Sequence, residues 1–566
     1  MPRIGQDKPS TSKAKKPIST GVAALKAQTV THSSSALPNV AIDALAGTGK
    51  TTTIISAVNK LKGVPVSIKP SAQQEAIWNY ICLSPKNATV ALTSFGRAIA
   101  DELRAKIPKV EGVCAETNHA FGNQAIKRAY GRPYMEKKLP GQMVLDCTGL
   151  EYEEFAKEYP GMFGLTKQVV SLCKQGLVGF DGEELLSQSS HKWDSLILGV
   201  LEYYGILVEN ENHIPLLFKW VPSILHKSIS LMTGPANKYG MDDMVWIPVV
   251  LKLPLPKYDI LLVDEYQDLN RCQQELLLRA AIRMVVIGDP RQAIYGFAGA
   301  DAQSVDRMKT VLSQRPGGLE VLPLSVTYRC GKNIVKEAQK IVGETYQAHE
   351  SNADGKVLKL SISPSTNPDH PYYLPYVKEN DMVLCRYNAP LVGQFFKLLA
   401  EDKRVKILGK NIGEQLITLI KRMKVDTASE MLVQLEQWRD DMIRIEAARK
   451  VPSDTKIEMY RDQYECVETI VESKNFRKCD EVVQFISSMF DDEAGTGIIR
   501  LSSIHKAKGL EADNVFILIP TGCELPSKRA KTAWQKTQED NLAYVAVTRA
   551  KKVLAFVTSS ASKGEN

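Results

Sequence analysis

The chain has 566 residues, a net charge of +8 and 44% hydrophobic residues, which is typical of a globular protein of about three or four domains. It contains neither the ~20-residue apolar run of a membrane helix nor an apolar N-terminal signal core, so we expect no membrane span and no secretion. Its 10 cysteines include no CxxC pair, which argues for reduced thiols inside a cell and against zinc or iron–sulfur sites.

Residues 1–38 are rich in Ser, Thr, Lys and Pro. Their only acidic residue is Asp7, whereas the basic residues are Arg3, Lys8, Lys13, Lys15, Lys16 and Lys26. Such a segment cannot bury enough apolar surface to fold, so we predict a disordered basic tail with a net charge of +5.

A phosphate-binding loop follows directly. Residues 40–45 form an apolar run that predicts a buried parallel strand, Gly47 and Gly49 interrupt it, and residues 50–62 read as a helix. Glycines let backbone N–H groups converge on phosphate oxygens, and a helix N-terminus adds positive potential. Lys50 is then expected to contact the β- and γ-phosphates, and the Thr51 hydroxyl to ligate Mg²⁺.

Two carboxylates follow a second apolar strand. Residues 258–263 read YDILLV, and Asp264 and Glu265 come next. Ligand chemistry in parallel sheets lies at the carboxyl ends of the strands, so both carboxylates are expected beside the phosphate loop. Asp264 suits Mg²⁺, directly or through water, and Glu265 suits orienting or deprotonating a water that attacks the γ-phosphate.

The remaining elements alternate between strands and helices. A strand over 88–93 precedes Phe95, a short strand precedes His119, and residues 128–240 are mostly amphipathic helix. A strand over 284–287 leads to Gln292, and the aromatics Tyr295 and Phe297 follow in a Gly-rich loop. A second set of strands and helices starts near Leu319, and the last helix is expected over 539–552. This alternation predicts an α/β protein with parallel sheets.

Eight ordered blocks resemble the UvrD/Rep-like helicases of superfamily 1. ALAGTGKT looks like motif I, LTSFGRAIADEL like Ia, TNHAFG like Ib and DEYQD like II. GDPRQAIYGFAGA is similar to motif III, TYR to IV, LSSIHKAKGLE to V and NLAYVAVTRA to VI. The blocks lie between residues 40 and 558 in the family's order, and the combination is highly specific.

The resemblance implies two RecA-like parallel-sheet P-loop domains with helical insertions and with ATP and Mg²⁺ between them. It assigns ATP contacts to residues 46–52 of the loop, which are Ala46, Gly47, Thr48, Gly49, Lys50, Thr51 and Thr52. Tyr328 would stack on the adenine, Glu511 would bind the ribose, and Gln292 would sense the γ-phosphate. Arg329 and Arg549 would reach that phosphate from the second domain, Arg549 as the arginine finger.

The element order and the resemblance together predict seven segments. They are the tail (1–38), domain 1A in two parts (39–127 and 241–318), a helical 1B-like insertion (128–240), domain 2A in two parts (319–410 and 495–566), and a reduced 2B-like insertion (411–494).

The resemblance also implies a path for single-stranded DNA, and this sequence departs from the family pattern at three places. The predicted DNA contacts are Phe95, His119, Tyr295, Phe297 and His505. These helicases usually carry an adenine-reading glutamine before motif I, whereas the best candidates here, Gln73 and Gln74, follow it. Motif III has Phe297-Ala298-Gly299 where Trp-Arg-Gly is common, and Gly96 replaces the usual Asn or Thr of motif Ia.

We therefore expect an ATP-dependent DNA helicase that moves on single-stranded DNA, unwinds duplex and, from the resemblance alone, moves 3′ to 5′. The alternatives are an ATP-gated DNA-binding scaffold or pure translocase, a 5′-to-3′ motor, and a P-loop NTPase with a non-nucleic partner. Partners would be single-stranded and duplex DNA, with unidentified replication or repair proteins and no membrane. The compartment is expected to be the cytoplasm of a prokaryotic or virus-infected cell, or a nucleus.

Overall fold

The computed structural model describes residues 36–94, 97–204, 206, 208, 210–294, 304–365, 367–448, 454–491, 495–528, 530 and 533–559. Two parallel sheets divide the described residues into a first lobe (residues 37–324) and a second lobe (residues 325–559).

The first lobe begins with the strand and helix predicted for the phosphate loop. Its first eight elements, in chain order, are β1 (Asn39–Ala44), α1 (Lys50–Lys62), α2 (Ala72–Ile81), β2 (Val90–Ser94), α3 (Arg97–Lys106), β3 (Val113–Thr117), α4 (Asn118–Tyr130) and β4 (Tyr134–Met135). A helical block follows, made of α5 (Leu139–Leu145), α6 (Tyr152–Glu158), α7 (Met162–Gly176), α8 (Lys192–Tyr203), α9 (Ile214–Thr233), β5 (Lys238–Tyr239) and α10 (Asp243–Val250). The lobe closes with β6 (Tyr258–Asp264), α11 (Arg271–Ala280), β7 (Ala281–Gly288), α12 (Ser304–Gln314) and β8 (Leu319–Leu324).

The second lobe repeats the alternation with a helical insertion of its own. It starts with β9 (Val326–Thr327), α13 (Lys332–Val342), β10 (Gln347–Ala348), β11 (Lys356–Ser361), β12 (Met382–Cys385), α14 (Ala389–Ala400) and β13 (Val405–Leu408). The insertion contains α15 (Lys410–Met423), α16 (Ala428–Ala447), α17 (Asp454–Lys474) and α18 (Cys479–Met489). The chain returns to the sheet with β14 (Phe490–Asp491), β15 (Ile499–Ser503), β16 (Ala512–Ile519), α19 (Ala533–Val547) and β17 (Ala550–Thr558).

Both sheets are parallel throughout. The first has the order β3-β2-β6-β7-β1-β8, and the second has the order β11-β17-β16-β12-β15-β13-β14. Helices cover the apolar strands, as parallel sheets require. The expected α/β class, with two RecA-like sheets and helical insertions, is confirmed. No helix in the described ranges is both long enough and apolar enough to cross a bilayer.

The sheet order places the chemistry of the first lobe at one edge. Strand β1 lies beside β7, which lies beside β6, and their carboxyl ends lead into the phosphate loop, Asp289 and Glu265. The buried positions of these strands are almost entirely aliphatic, so the strands are fixed on both faces. The loops that follow them therefore leave from a rigid base.

Two expectations about the chain were wrong. The second set of strands does not start near Leu319, because β8 pairs with β1 in the first sheet, with Asn39 opposite Leu319 and Ala44 opposite Leu324. Sequence gives no signal for which sheet an edge strand joins. The last helix ends at Val547 rather than at 552, so Arg549 lies in the turn before β17.

Gly122 of α4 offers a test of how the helical block is attached. A Cβ atom at this position would lie 1.8 Å from the backbone oxygen of Met244 in α10, and no rotamer change can relieve a backbone contact. We expect Gly122→Ala to lower the thermal unfolding midpoint by several degrees. Gly199→Ala in α8 is the matched control, since a Cβ there meets nothing within 4 Å, and it should leave the midpoint unchanged or raise it. Equal midpoints for the two variants would contradict this packing.

Candidate functional site at the junction of the lobes

The phosphate loop has the backbone that its sequence predicts. Gly47 and Gly49 adopt φ of 68° and 80°, a left-handed conformation that side chains disfavour. No side chain caps the first turn of α1, and that turn holds no acidic residue. A bare helix N-terminus with a lysine at its first position is suited to an anion.

Lys50 and Thr51 both meet the carboxylates that follow β6. Lys50 Nζ lies 2.7 Å from Glu265 Oε1, and both side chains are largely buried. Thr51 Oγ1 donates to Asp264 Oδ2 at 3.3 Å. Glu265 adopts a φ of 53°, unusual for a residue with a side chain, and Gln267 Nε2 donates to its other oxygen at 2.5 Å. The residues at the end of β6 and those at the start of α1 are thus in direct polar contact.

The pKa values of these groups follow from burial and charge. Burial alone would raise the pKa of Glu265, but the Lys50 ammonium outweighs it and lowers the pKa to about 2. Burial, and then the Glu265 charge, raise the pKa of Asp264 to about 7. Burial disfavours the Lys50 cation, yet Glu265, Asp264 and Asp289 together raise its pKa. Lys50 therefore forms its ion pair with Glu265. The Asp264 carboxylate is protonated more readily than the Glu265 carboxylate.

Arg549 of the second lobe approaches this edge through Gln292. Arg549 is 1% exposed, and its Nη2 lies 3.5 Å from Gln292 Oε1. Gln292 Nε2 in turn donates to Asp289 Oδ2 at 2.7 Å. Burial, and then repulsion by Arg329, lower the pKa of Arg549 to about 10, so the side chain remains a cation at neutral pH. A buried cation from the second lobe thus touches Gln292 at the carboxyl edge of the first lobe's sheet.

Two tyrosines of the second lobe hold the backbone of Ala46. The Ala46 N–H donates to Tyr544 Oη at 2.7 Å, and Tyr346 Oη donates to the Ala46 carbonyl at 2.9 Å. Tyr544 Oη also donates to Asp289 Oδ2 at 3.2 Å. Both rings are fully buried, and Ala46 belongs to the hydrophobic cluster of the second lobe. The phosphate loop is therefore fixed by the opposite lobe as well as by its own strand.

The Thr327–Arg329 segment closes the loop from the other side. The Tyr328 N–H donates to the Gly47 carbonyl at 2.9 Å, and a Cβ on Gly47 would lie 2.5 Å from Arg329 Cβ. Arg329 Nε lies 2.6 Å from Glu511 Oε2, while the Tyr328 ring is 42% exposed and lies 4.7 Å from the His349 ring. Only glycine permits this close approach.

Gln73 and Gln74 lie beside the loop although they follow it in the chain. Gln74 Nε2 donates to Thr53 Oγ1 at 3.0 Å, within the first turn of α1. Gln73 forms two hydrogen bonds with Ser325. Its Nε2 donates to the Ser325 hydroxyl at 3.0 Å, and its Oε1 accepts from the Ser325 backbone N–H at 2.9 Å. Helix α2 thus carries both glutamines to the junction of the lobes.

The other predicted residues are distributed as follows. Thr48 is buried and donates to the Leu45 carbonyl, and Thr52 is exposed on α1. His119 lies in the first turn of α4, where burial lowers its pKa. Burial, and then Arg386, lower the pKa of His505 to about 3. Phe95, Tyr295 and Phe297 lie outside the described residues.

The donor set at this edge fits Mg²⁺ and a nucleotide phosphate. The Thr51 hydroxyl lies against the buried Asp264 carboxylate, and the buried Asp289 and the partly exposed Glu265 also lie near Lys50. Carboxylate and hydroxyl oxygens are ligands that Mg²⁺ prefers. The bare first turn of α1 supplies the complementary place for phosphate oxygens.

Several residues of the junction were missed from the sequence. Asp289 lies in the motif III block, Lys508 in the motif V block and Tyr544 in the motif VI block, so their positions within the motifs are a sequence signal for them. Lys508 Nζ bonds both Asp268 oxygens, at 2.7 and 2.8 Å, and the Gln292 carbonyl at 2.7 Å. Tyr346 lies in no motif, and its contact with Ala46 depends on the fold alone.

Comparison with known families finds matches in both lobes. The model of the UvrD/REP helicase N-terminal domain matches residues 248–312, which include β6, β7 and the two carboxylates. The model of the UvrD-like helicase C-terminal domain matches residues 391–561, which include Glu511, Tyr544 and Arg549. The two matched segments thus meet at the junction just described.

Several curated proteins are similar over parts of their length. F-box DNA helicase protein 1 of Schizosaccharomyces pombe is 24% identical over 318 residues, which are 53% of this chain and 34% of that protein. ATP-dependent DNA helicase Rep of Escherichia coli is 30% identical over 148 residues, 24% of this chain and 21% of Rep. F-box DNA helicase 1 of Gallus gallus is 22% identical over 542 residues, 92% of this chain and 47% of that protein. The matches span from about a fifth to about half of these relatives.

The Lys508–Asp268 pair allows a test of how firmly the lobes are joined. Its side chains are only 9% and 13% exposed, so Lys508→Met leaves a buried carboxylate unpaired and should cost about 3–5 kcal/mol. In the control, Lys252→Met removes a pair with Glu183 that is 45% and 83% exposed, and such pairs contribute little. Differential scanning calorimetry should show a clearly lower midpoint for the first variant alone. Equal shifts would mean that the cross-lobe pair does not hold the lobes together.

Proposed function

We propose, because the chain belongs to the UvrD/Rep-like helicases of superfamily 1, that it is an ATP-dependent DNA helicase. It moves on single-stranded DNA and unwinds duplex, in the 3′-to-5′ direction, in replication, recombination or repair. The observation that carries this proposal is the contact of Arg549, from the second lobe, with Gln292 beside the phosphate loop of the first. A pocket completed by both lobes couples nucleotide state to lobe position.

In this proposal the first lobe binds the ATP phosphates. The amides of residues 47–51 and the Lys50 ammonium would hold the phosphate oxygens, and Thr51 and Asp264 would hold Mg²⁺. When bound, Mg²⁺ would supply positive charge that offsets the phosphate charge. Tyr328, exposed at the edge of the junction, would contact the adenine. Helix α2 carries Gln73 to Ser325 and Gln74 to Thr53, and either glutamine would then contribute to adenine binding.

Glu265 positions and deprotonates the attacking water. In this structure the carboxylate is neutralised by Lys50 at 2.7 Å. When Lys50 turns to phosphate oxygens, the carboxylate loses the charge that depresses its pKa and becomes a stronger base. The same lysine would thus link phosphate binding to activation of the base.

Arg549 and Arg329 act from the second lobe on the transferred phosphoryl group. A cation that is fixed in place stabilises developing charge without reorganisation. Arg549 is fixed because its guanidinium donates hydrogen bonds to the carbonyls of Val545 and Leu510. Because Arg549 belongs to the opposite lobe, hydrolysis would remove its contact with the transferred phosphoryl group, and that contact links the two lobes. Alternating closure would then carry the strand contacts along DNA.

Lys50→Ala is the first test. We expect it to lower single-strand-stimulated ATP hydrolysis by roughly 100-fold or more while part of the DNA binding remains. Lys60→Ala, about 15 Å away in the last turn of the same helix, is the matched control and should retain hydrolysis. Stimulated hydrolysis that survives in the Lys50 variant would refute the assignment of the loop.

Strand displacement separates the helicase from its rivals. The wild-type protein should displace a strand from a duplex with a 3′ single-stranded tail and fail with a 5′ tail. Hydrolysis without displacement would favour a scaffold or a pure translocase, and the reverse tail preference a 5′-to-3′ motor. ATP hydrolysis that ignores added single-stranded DNA would point to a different class of P-loop NTPase.

Tyr544→Phe tests the link between the lobes and the phosphate loop. Among the residues that the structure describes, this hydroxyl alone bonds both Ala46 and Asp289, and Asp289 accepts a hydrogen bond from Gln292. Loss of the hydroxyl should therefore lower kcat about tenfold, with a smaller change in KM for ATP. Tyr346→Phe is the matched control, since its hydroxyl bonds Ala46 but not Asp289. Steady-state hydrolysis at saturating single-stranded DNA measures both. Equal losses of kcat would show that the chain through Asp289 has no special role.

A further inference from the structure

The aromatic side chain proposed to contact the base lies against a histidine ring. The ring centroids of Tyr328 and His349 are 4.7 Å apart, and the ring planes differ by 31°, so the imidazole covers one face of the phenol. Tyr328 is 42% exposed, and its hydroxyl forms no hydrogen bond with any residue that the structure describes. Packing against the imidazole can therefore decide the direction of the phenol ring.

The His349 ring is itself held in place. The Ser351 N–H donates to His349 Nδ1 at 3.3 Å, and the Ser351 hydroxyl lies 2.7 Å from the same nitrogen. The backbone N–H of His349 donates to the Thr327 carbonyl at 2.9 Å. Both the ring and the backbone of His349 are thus fixed next to Tyr328.

His349 belongs to a short segment, residues 347–352, the brace, which supports Tyr328 from behind. Strand β10 of the brace pairs in parallel with β9, which ends just before Tyr328. Asn352 Nδ2 donates to the carbonyls of Thr327 and Cys330, both at 2.9 Å, and these residues flank the tyrosine segment. The brace lies in none of the eight motif blocks, so the fold alone brings it to this place.

The backbone of Tyr328 is fixed on the phosphate loop, because its N–H donates to the Gly47 carbonyl at 2.9 Å. This bond leaves the two side-chain torsions free. A base that stacks on a rotating ring loses binding free energy in ordering that ring, and a ring already held in place avoids this loss. Since His349 covers one face of the phenol, the exposed fraction leaves the opposite face to a base.

We propose that His349 is a positioning residue of the nucleotide site, and that it holds the Tyr328 ring in the orientation that stacks on the adenine. This rests on the proposed function, in which Tyr328 contacts the adenine, and it adds a residue outside the motifs to that site. The described contacts of the His349 ring are with Tyr328 and Ser351, and none is with the phosphate loop or the carboxylates after β6. Its effect should therefore appear in binding of the base and not in the chemical step.

The test compares three substitutions in the full chain. His349→Ala removes the ring, and His349→Phe restores an aromatic face at the same position. His191→Ala is the matched control, because His191 is exposed at the start of α8 and its side chain caps no backbone N–H. Single-strand-stimulated hydrolysis gives kcat and KM for ATP. Inorganic tripolyphosphate, which has no base, is added as an inhibitor that competes for the phosphate loop.

We expect His349→Ala to raise KM for ATP about three- to tenfold, the effect of one aromatic side chain that must be ordered on binding. The kcat at saturating ATP should stay within about twofold of wild type, because only ground-state binding is lost. The inhibition constant of tripolyphosphate should not change. His349→Phe should keep most of the wild-type KM for ATP, and His191→Ala should keep all of it.

A double variant shows whether His349 acts through Tyr328. Tyr328→Ala should raise KM for ATP by itself, and His349→Ala added to it should cause no further rise, because the ring that it positions is gone. A further rise as large as in the wild-type background would overturn the inference. An unchanged KM in the single His349→Ala variant would overturn it as well.

The tripolyphosphate measurement can also overturn the inference. A loss of tripolyphosphate inhibition equal to the loss of ATP affinity would mean that His349 supports the phosphate loop rather than the base. Each of these results can occur while single-stranded DNA still stimulates ATP hydrolysis, so the inference can fail while the helicase assignment stands. A wild-type protein whose hydrolysis ignores single-stranded DNA would instead reject the proposed function itself.

Discussion

The contact on which the junction depends is the pair of hydrogen bonds at Ala46. Its N–H and its carbonyl are both taken by tyrosine hydroxyls of the second lobe, Tyr544 and Tyr346. A backbone amide buried without partners costs free energy, so the phosphate loop keeps this shape only while the second lobe is in place. The hydrogen bonding of the phosphate loop in the first lobe therefore depends on the position of the second lobe.

A chain of polar contacts leads from Ala46 towards the second lobe's cation. Tyr544 donates to Asp289, Asp289 accepts from Gln292, and Gln292 accepts from Arg549. Every member is buried, and hydrogen bonds are electrostatically stronger at low dielectric. A shift of the second lobe therefore changes the phosphate loop and Gln292 together rather than one after the other.

Sequence predicted the features that are local. Lys50, Thr51, Asp264 and Glu265 follow from strand–loop–helix patterns that need only their neighbours, and the structure brings these side chains together as pairs. Sheet membership of β8 did not follow, because an edge strand with half-buried positions can pair with either sheet. The contact of Tyr346 with Ala46, 300 positions apart, had no local signal at all.

Helix α2 shows that order along the chain and place in space are separate constraints. The resemblance leads us to expect an adenine-reading glutamine before the loop, whereas Gln73 and Gln74 come after α1. Yet α2 packs against α1, with Trp78 Nε1 donating to the Thr53 carbonyl and Gln74 donating to the Thr53 hydroxyl. Gln73 reaches Ser325, just before the segment that closes on Gly47. Because a short connection can bring a helix to the same side of a sheet from either direction, the position of a glutamine in the sequence does not decide whether it can serve the pocket. In this chain the packing of α2 on α1 brings Gln74 to Thr53, and it brings Gln73 to Ser325.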